Sequence, residues 1–247
     1  MPKTTNRVAV VTGAAQGFGR AISVGLAQTG VDIVAVDLSE SRDTVAAVEE
    51  RGQKAVSLVA DVSAPESGDR LAMLLEEEFG RCDVLVNNAG IYPMVPFDQV
   101  DFDLWKRVQS INLDSQFIMV KAVLPLMKKS KAGRIVNIAS NSIGLPIPGL
   151  THYMASKMGV IGFTRGLSND VAEYGITVNA VGPTASKTPG GLEQIDEKHI
   201  DQLAQSQAIK RAGMAEDIVG TVLFLAGESS GWVTGQTIMA DGGLVRL

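Results

Sequence analysis

The sequence is poor in the residues that carry metal, disulfide and polyanion chemistry. It has one cysteine, Cys82, and two histidines in 247 residues. One cysteine cannot close an internal disulfide, and so few Cys and His cannot build a metal cage, so no metal is expected. This usage suits a reducing, cytoplasmic setting. Aromatics make up only 5% of the chain, and 22 Lys+Arg stand against 27 Asp+Glu, a net charge of −5. An acidic chain without a basic cluster is a poor partner for nucleic acid or an anionic membrane surface. No apolar run approaches the roughly 18–20 residues that a spanning helix requires. The opening MPKTTNR shows no apolar signal segment. Repeats, linkers and low-complexity tracts are lacking too.

The remaining composition is that of a folded globular chain, 45% hydrophobic and 20% charged. Glycine is abundant, at 26 residues, against a usual level of about 7%. Scattered glycine of this kind marks backbone that approaches itself or a ligand closely. Short β-branched runs alternate with longer amphipathic segments. Strands are expected at Arg7–Thr12, Val31–Asp37, Lys54–Ala60, Asp83–Asn87, Gly133–Ser140, Gly175–Val181 and Gln236–Ala240. Between them, helices are expected over Gly17–Gly30, Ser41–Gly52, Pro65–Gly80, Asp101–Lys129 with a bend near Pro125, Thr151–Tyr174 and Met214–Ala226. Strands apolar on both faces, each followed by a helix, imply an α/β fold. This is a doubly wound parallel sheet with helices on both faces, spanning 1–247 as a single domain. The irregular stretch Gly182–Gln207 is long enough to serve as a substrate loop or lid.

The first strand runs into Thr12-Gly13-Ala14-Ala15-Gln16-Gly17-Phe18-Gly19. Gly13 permits a tight turn, Gly17 lets backbone amides approach a pyrophosphate, and Gly19 lets helix and strand pack closely. The helix N-terminus then faces the anion. Asp37 ends the second strand, 18 residues past Gly19. A carboxylate there accepts hydrogen bonds from both adenosine ribose hydroxyls and repels a 2′-phosphate, which favours NAD over NADP. Leu38 follows it. Asp61-Val62 falls where the adenine would lie. Asn87-Asn88-Ala89-Gly90 ends the fourth strand, with Asn87 a structural tie and small residues leaving room for the cofactor.

Tyr153 and Lys157 are four apart on an expected helix and so share a face. An ammonium beside a phenol favours phenolate and lowers its pKa from about 10. Tyr153 then becomes a general base for alcohol oxidation and an acid for ketone reduction. Ser140, thirteen residues earlier at a strand end, can hydrogen-bond the reacting oxygen. Asn112 can hold a water linked to Lys157. His152 points about 100° away from Tyr153 around a helix, toward a rim or packing role.

These residues carry a resemblance that spans essentially the whole chain. Thr12–Gly19, Asp61-Val62, Asn87–Gly90, Asn112, Ser140, Tyr153-x-x-x-Lys157, Asn179–Pro183 and Gly235–Gly243 together resemble the short-chain dehydrogenase/reductase family. The resemblance implies a Rossmann-type domain with seven strands, hydride transfer between nicotinamide and a hydroxyl-bearing carbon, and a homotetramer. By it, Tyr153 is the acid/base, Ser140 orients the substrate, Lys157 also holds the nicotinamide ribose, and Asn112 completes a proton relay. Gly13, Gln16, Gly17, Phe18, Gly19, Asp37, Leu38, Asp61, Val62, Asn88, Ala89, Gly90, Pro183, Ser186 and Thr188 would line the cofactor, with Thr188 on the carboxamide. One departure stands out: the family has Pro-Gly after the sixth strand, and here it is Pro183-Thr184, which puts the local loop geometry in question.

Three stretches, 79–98, 151–165 and 241–247, resemble a subgroup that oxidises ring-attached carbinols with NAD, the 1-phenylethanol dehydrogenases and, less closely, pyridoxal 4-dehydrogenase. On that reading Tyr92, Pro93, Met94, Ser142, Leu145, Ile147 and Leu192 line an apolar substrate pocket, with Thr184 beside it. Two other readings compete. An NADPH-dependent 3-oxoacyl-carrier-protein reductase calls for a basic residue near position 37 and a basic patch. A non-catalytic dinucleotide-binding protein would be expected to lack Ser140, Tyr153 or Lys157. The helix Met154–Asn169 has few charges and many small residues, so one side is expected to cover the sheet and the other a second copy of the chain.

Overall fold

The computed structural model describes residues 4–246. Seven strands, β1 (Arg7–Thr12), β2 (Val31–Asp37), β3 (Ala55–Val59), β4 (Val84–Asn87), β5 (Arg134–Ile138), β6 (Thr177–Pro183) and β7 (Thr237–Ala240), form one sheet in the order β3-β2-β1-β4-β5-β6-β7. Every pairing is parallel. The continuous apolar runs are explained by cover on both faces. In β1, Val8 and Val10 enter one core, while Ala9 and Val11 enter the other.

Nine α-helices connect the strands: α1 (Gly17–Ala27), α2 (Arg42–Glu49), α3 (Pro65–Glu78), α4 (Phe102–Gln109), α5 (Ser115–Ser130), α6 (Thr151–Asp170), α7 (Pro189–Gln194), α8 (Glu197–Ala204) and α9 (Val219–Ala226), counted among the described residues. α3 and α5 fill the first core with Leu71, Leu75, Val123 and Met127, and α6 adds Phe163 and Leu167 at its margin. α1, α2 and α9 fill the second with Ile22, Leu26, Val48, Val222 and Leu225. The single seven-stranded, doubly wound unit is the one expected. Its strand order reverses direction between β1 and β4, and the crevice beyond the C-terminal strand ends at such a point is where α/β sheets bind ligands.

Two stretches differ from expectation. The segment 101–129 departs from α geometry at Ser110–Asp114, which forms a π turn, and not at Pro125. Pro125 lies on the exposed face of α5, where water can satisfy the freed backbone. The stretch 182–207 is not irregular throughout. β6 takes its first residues, and α7 and α8 occupy much of the rest. Thr188 caps α7 by accepting from Gly191 N at 3.0 Å, and Asp196 caps α8 by accepting from Lys198 N at 2.8 Å. Lys187 ties the two together through Glu197 and Asp201, each at 2.8 Å.

Candidate active site

The first half of the site is built where β1 ends. Thr12 Oγ1 accepts from the backbone amides of Asn88 and Ala89 at 2.9 and 3.0 Å, and Asn88 Nδ2 returns a hydrogen bond to the Thr12 carbonyl at 2.8 Å. These bonds lock the turn after β1 to the end of β4. One layer deeper, Asn87 donates to Asn137 at 2.9 Å and Asn137 to Thr164 at 2.9 Å, the structural tie expected of Asn87. Gly13 and Gly17 take φ of +64° and +54°, which an L side chain rarely adopts. Gly19 does not line the cleft. It lies under the turn, where a Cβ would come within 2.0 Å of the Gly13 carbonyl oxygen. α1 opens with no side-chain cap and no acidic residue in its first turn, so its N-terminal amides are free for an anion.

A cleft of about 690 Å³ runs from this turn along the strand ends. Gly13, Gln16, Gly17, Phe18, Asp37 and Leu38 line it, as do Asp61, Val62, Asn88, Ala89 and Gly90, with Tyr153, Lys157, Pro183 and Thr188. Asp37 Oδ2 accepts from Ala15 N at 2.9 Å, so the carboxylate is anchored to the glycine turn. The nearby arginines are occupied: Arg42 pairs with Glu40 at 2.7 Å, and Arg20 with Asp43 at 3.4 Å. Ser63, Arg107, Ser110 and Ile111 also line the cleft, and no sequence signal marked them. Ser186 belongs elsewhere: its hydroxyl donates to the Thr184 carbonyl at 3.1 Å, and it lines a second cavity.

That second cavity, about 120 Å³, adjoins the first, because Phe18, Tyr92, Tyr153, Pro183, Thr188 and Gly191 line both. Ser140, Ser142, Leu145, Ile147 and Thr184 line it as expected, joined by Leu150, Ile195 and Leu203. Pro93, Met94 and Leu192 do not. The chain turns away after Tyr92, and Val95 N bonds Gly149 O at 3.0 Å, leaving Met94 exposed. On α7, Gly190 and Gly191 face inward, while Leu192, about 100° further round, is 45% exposed. Thr184 follows β6 without a positive φ, since Lys131 is the one non-glycine residue with such a value among those described.

Tyr153 stands between the two cavities. Its ring lies 5.8 Å from that of Tyr92, whose hydroxyl donates to the Gly190 carbonyl at 2.9 Å and so holds α7 over the site. Burial pushes the Tyr153 phenol up to about 12, while a hydrogen bond with Ser140 acts in the opposite direction. The expected lowering by Lys157 is not found. The lysine ammonium sits 5.6 Å from the ring centroid and donates to the Ile138 carbonyl at 2.7 Å. Burial brings Lys157 itself down to about 8. Ser140 Oγ also accepts from Ser142 N at 3.1 Å, which fixes its orientation. Asn112 lies beside Lys157, both packing around Gly90, and its side chain is anchored. It accepts from Ile91 N at 2.8 Å and donates to Ile91 O and Ser156 Oγ at 2.9 and 3.0 Å. Its backbone carbonyl accepts from Gln116 at 3.2 Å. Asn112 is therefore held in place beside Lys157 by Ile91 and Ser156. His152 is fully buried and lines neither cavity.

A glycine turn feeding an uncapped helix, a carboxylate at the end of β2 and a Ser-Tyr-Lys group define a dinucleotide-dependent oxidoreductase on a Rossmann-type sheet. The comparisons narrow this. The family profile described as Enoyl-(Acyl carrier protein) reductase matches residues 13–245. The chain is 37% identical to a 3-oxoacyl-acyl-carrier-protein reductase of Synechocystis, covering 100% of both chains. It is also 37% identical to a subunit of the (2S)-((R)-hydroxy(phenyl)methyl)succinyl-CoA dehydrogenase of Thauera aromatica, covering 96% of both. The acetoin dehydrogenase structure from Salmonella typhimurium superimposes with a TM-score of 0.88 at 32% identity, covering 97% of this chain and 96% of that one. The chain belongs to the short-chain dehydrogenase/reductase family, and its cofactor is a nicotinamide dinucleotide.

Proposed function

We propose that the chain is an NAD-dependent dehydrogenase of secondary alcohols, with a ring-bearing carbinol as substrate. The observation that carries this reading is the place of Tyr153, at the junction of the long cleft and a small, largely apolar cavity that Ser140 also lines. The bound dinucleotide supplies the hydride acceptor in oxidation and the donor in reduction. The chain's own groups handle the proton and the oxygen. Tyr153 gives its phenol proton to the ketone oxygen in reduction and, as phenolate, takes the carbinol proton in oxidation. Ser140 holds the reacting oxygen, and Lys157 fixes the face of the site against β5. Asp37, with no unpaired arginine beside it, favours NAD. The Thauera relative, whose name carries a hydroxy(phenyl)methyl group, supports a benzylic carbinol. We also propose a homotetramer. A reducing compartment suits the single buried thiol of Cys82.

A second reading, an NADPH-dependent 3-oxoacyl-carrier-protein reductase, draws on the Synechocystis relative. One experiment separates the two. Purified protein is given NAD⁺ or NADP⁺ with racemic 1-phenylethanol, or NADPH with a 3-oxoacyl thioester, and nicotinamide absorbance is followed. The expected result is NADH formation, lowered by on the order of 10²–10⁴ in Tyr153→Phe, the usual size of a general-base contribution, with NADH binding retained. Asp37→Ser should shift the ratio of kcat/KM values toward NADP⁺. Turnover only with NADPH and the thioester would replace the first reading by the second.

A further inference from the structure

The small cavity holds more hydroxyls than a simple carbinol needs. Ser140 and Tyr153 suffice for one reacting oxygen. Ser142 and Thr184 line the same cavity, are only 4% and 6% exposed, and their side-chain oxygens have no hydrogen-bond partner among the described residues. A buried hydroxyl without a partner is costly, so such pairs are seldom left at random in one cavity. Their surroundings make the contrast sharper, because the other walls include Leu145, Ile147, Leu150 and Leu203. Both oxygens sit on well-fixed backbone. Ser142 N donates to Ser140 Oγ at 3.1 Å, which places the second serine close to the group that holds the reacting oxygen. The Thr184 carbonyl accepts from Ser186 Oγ at 3.1 Å, and Thr184 takes the position after Pro183, which lines both cavities. A hydroxyl turns about its own bond at little cost, so either can donate to or accept from a ligand oxygen.

We propose that Ser142 and Thr184 recognise a second oxygen on the substrate, next to the reacting carbon, so that carbinols carrying a vicinal hydroxyl or carbonyl are preferred over those without one. This rests on the dehydrogenase reading of the site. In the reaction, Tyr153, as phenolate, would take the hydroxyl proton, and the hydride of the carbinol carbon would pass to a bound nicotinamide dinucleotide. The second oxygen keeps its bonds and serves for recognition alone.

The test compares matched pairs, 1-phenylethanol with 1-phenyl-1,2-ethanediol and 2-butanol with 2,3-butanediol, in the wild type, Ser142→Ala, Thr184→Val and Thr184→Ser. The wild type should favour the dioxygenated member by 10-fold or more in kcat/KM. Ser142→Ala and Thr184→Val should each bring that ratio several-fold toward one, and Thr184→Ser should restore it. The shape-preserving Thr184→Val separates loss of the hydroxyl from loss of packing. A wild-type ratio near one overturns the proposal, as does a ratio unmoved in both variants. A Thr184→Val effect confined to the cofactor's Kd overturns the role of Thr184. Thermal shift with NADH and either acetophenone or 2-hydroxyacetophenone reads the same preference without turnover. Absence of all turnover therefore counts against the dehydrogenase reading, while the ligand preference still decides this one.

Discussion

Lys157 is 3% exposed, its ammonium has the Ile138 carbonyl 2.7 Å away as its hydrogen-bond partner, and burial brings it down from 10.5 to about 8. A cation whose folded value is depressed contributes full stability only above its unfolded value, and that contribution falls away as pH drops through the folded one. The wild type should therefore gain stability relative to Lys157→Met as pH rises from 7.5 to 9.5, by on the order of 1–2 kcal/mol. Urea unfolding of both proteins across that range measures it, and a flat difference would show that the ammonium is not desolvated. The residue was legible from sequence because a helix fixes the four-residue spacing to Tyr153. Its electrostatics were not. Spacing placed an ammonium near a phenol, but the direction of its hydrogen bond depends on β5, nineteen residues away in sequence.

Among the elements, the turn that follows β7 does more for the site than its sequence suggests. Asp241 is buried and accepts from the backbone amides of Gly243, Leu244 and Val245 at 3.0, 3.2 and 2.8 Å. It also accepts from Asn141 Nδ2 at 3.2 Å. Val245 packs so closely on Gly144 that a Cβ there would lie 2.5 Å from Val245 Cγ1. The chain's last described turn therefore braces the short helical turn Asn141–Gly144, which carries Ser142. Asp241→Ala should lower unfolding stability by roughly 1–3 kcal/mol, the cost of stranding buried donors. It should raise KM for the alcohol more than KM for the cofactor. Equal effects on both would mean that the brace serves the fold and not the pocket. The π turn at Ser110–Asp114 belongs to the same scale. Periodicity there reads as one long helix, and the extra residue in the turn is set by packing against α6 and the loop after β4, where Asn112 bonds Ser156 and Ile91.

For the whole molecule, the outer faces of α5 and α6 carry the question of assembly. Phe117 and Met158 are 57% and 54% exposed, and Ala155, Gly162 and Gly166 lie on the exposed side of α6. Added Cβ atoms at Gly162 and Gly166 would meet nothing within 4 Å, so neither glycine is required by packing inside one subunit. A small-residue face flanked by exposed apolar side chains suits a second copy of the chain. Light scattering should give a mass several times 26.0 kDa, falling to smaller species in Phe117→Glu combined with Met158→Glu; a wild type at 26.0 kDa would overturn the oligomer.

The sequence by itself determined the alternation of strand and helix, the glycine turn, Asp37 and the Ser140-Tyr153-Lys157 spacing. Each of these is written within one element or at its end, where local geometry leaves little choice. Only the tertiary structure decided that Leu192 faces out, that Gly19 lies beneath the turn, that Asn112 is anchored to Ile91 and Ser156, and that Ser142 and Thr184 share a cavity. Those outcomes depend on which surfaces meet across the strand ends, and no local pattern encodes a contact between residues so far apart along the chain.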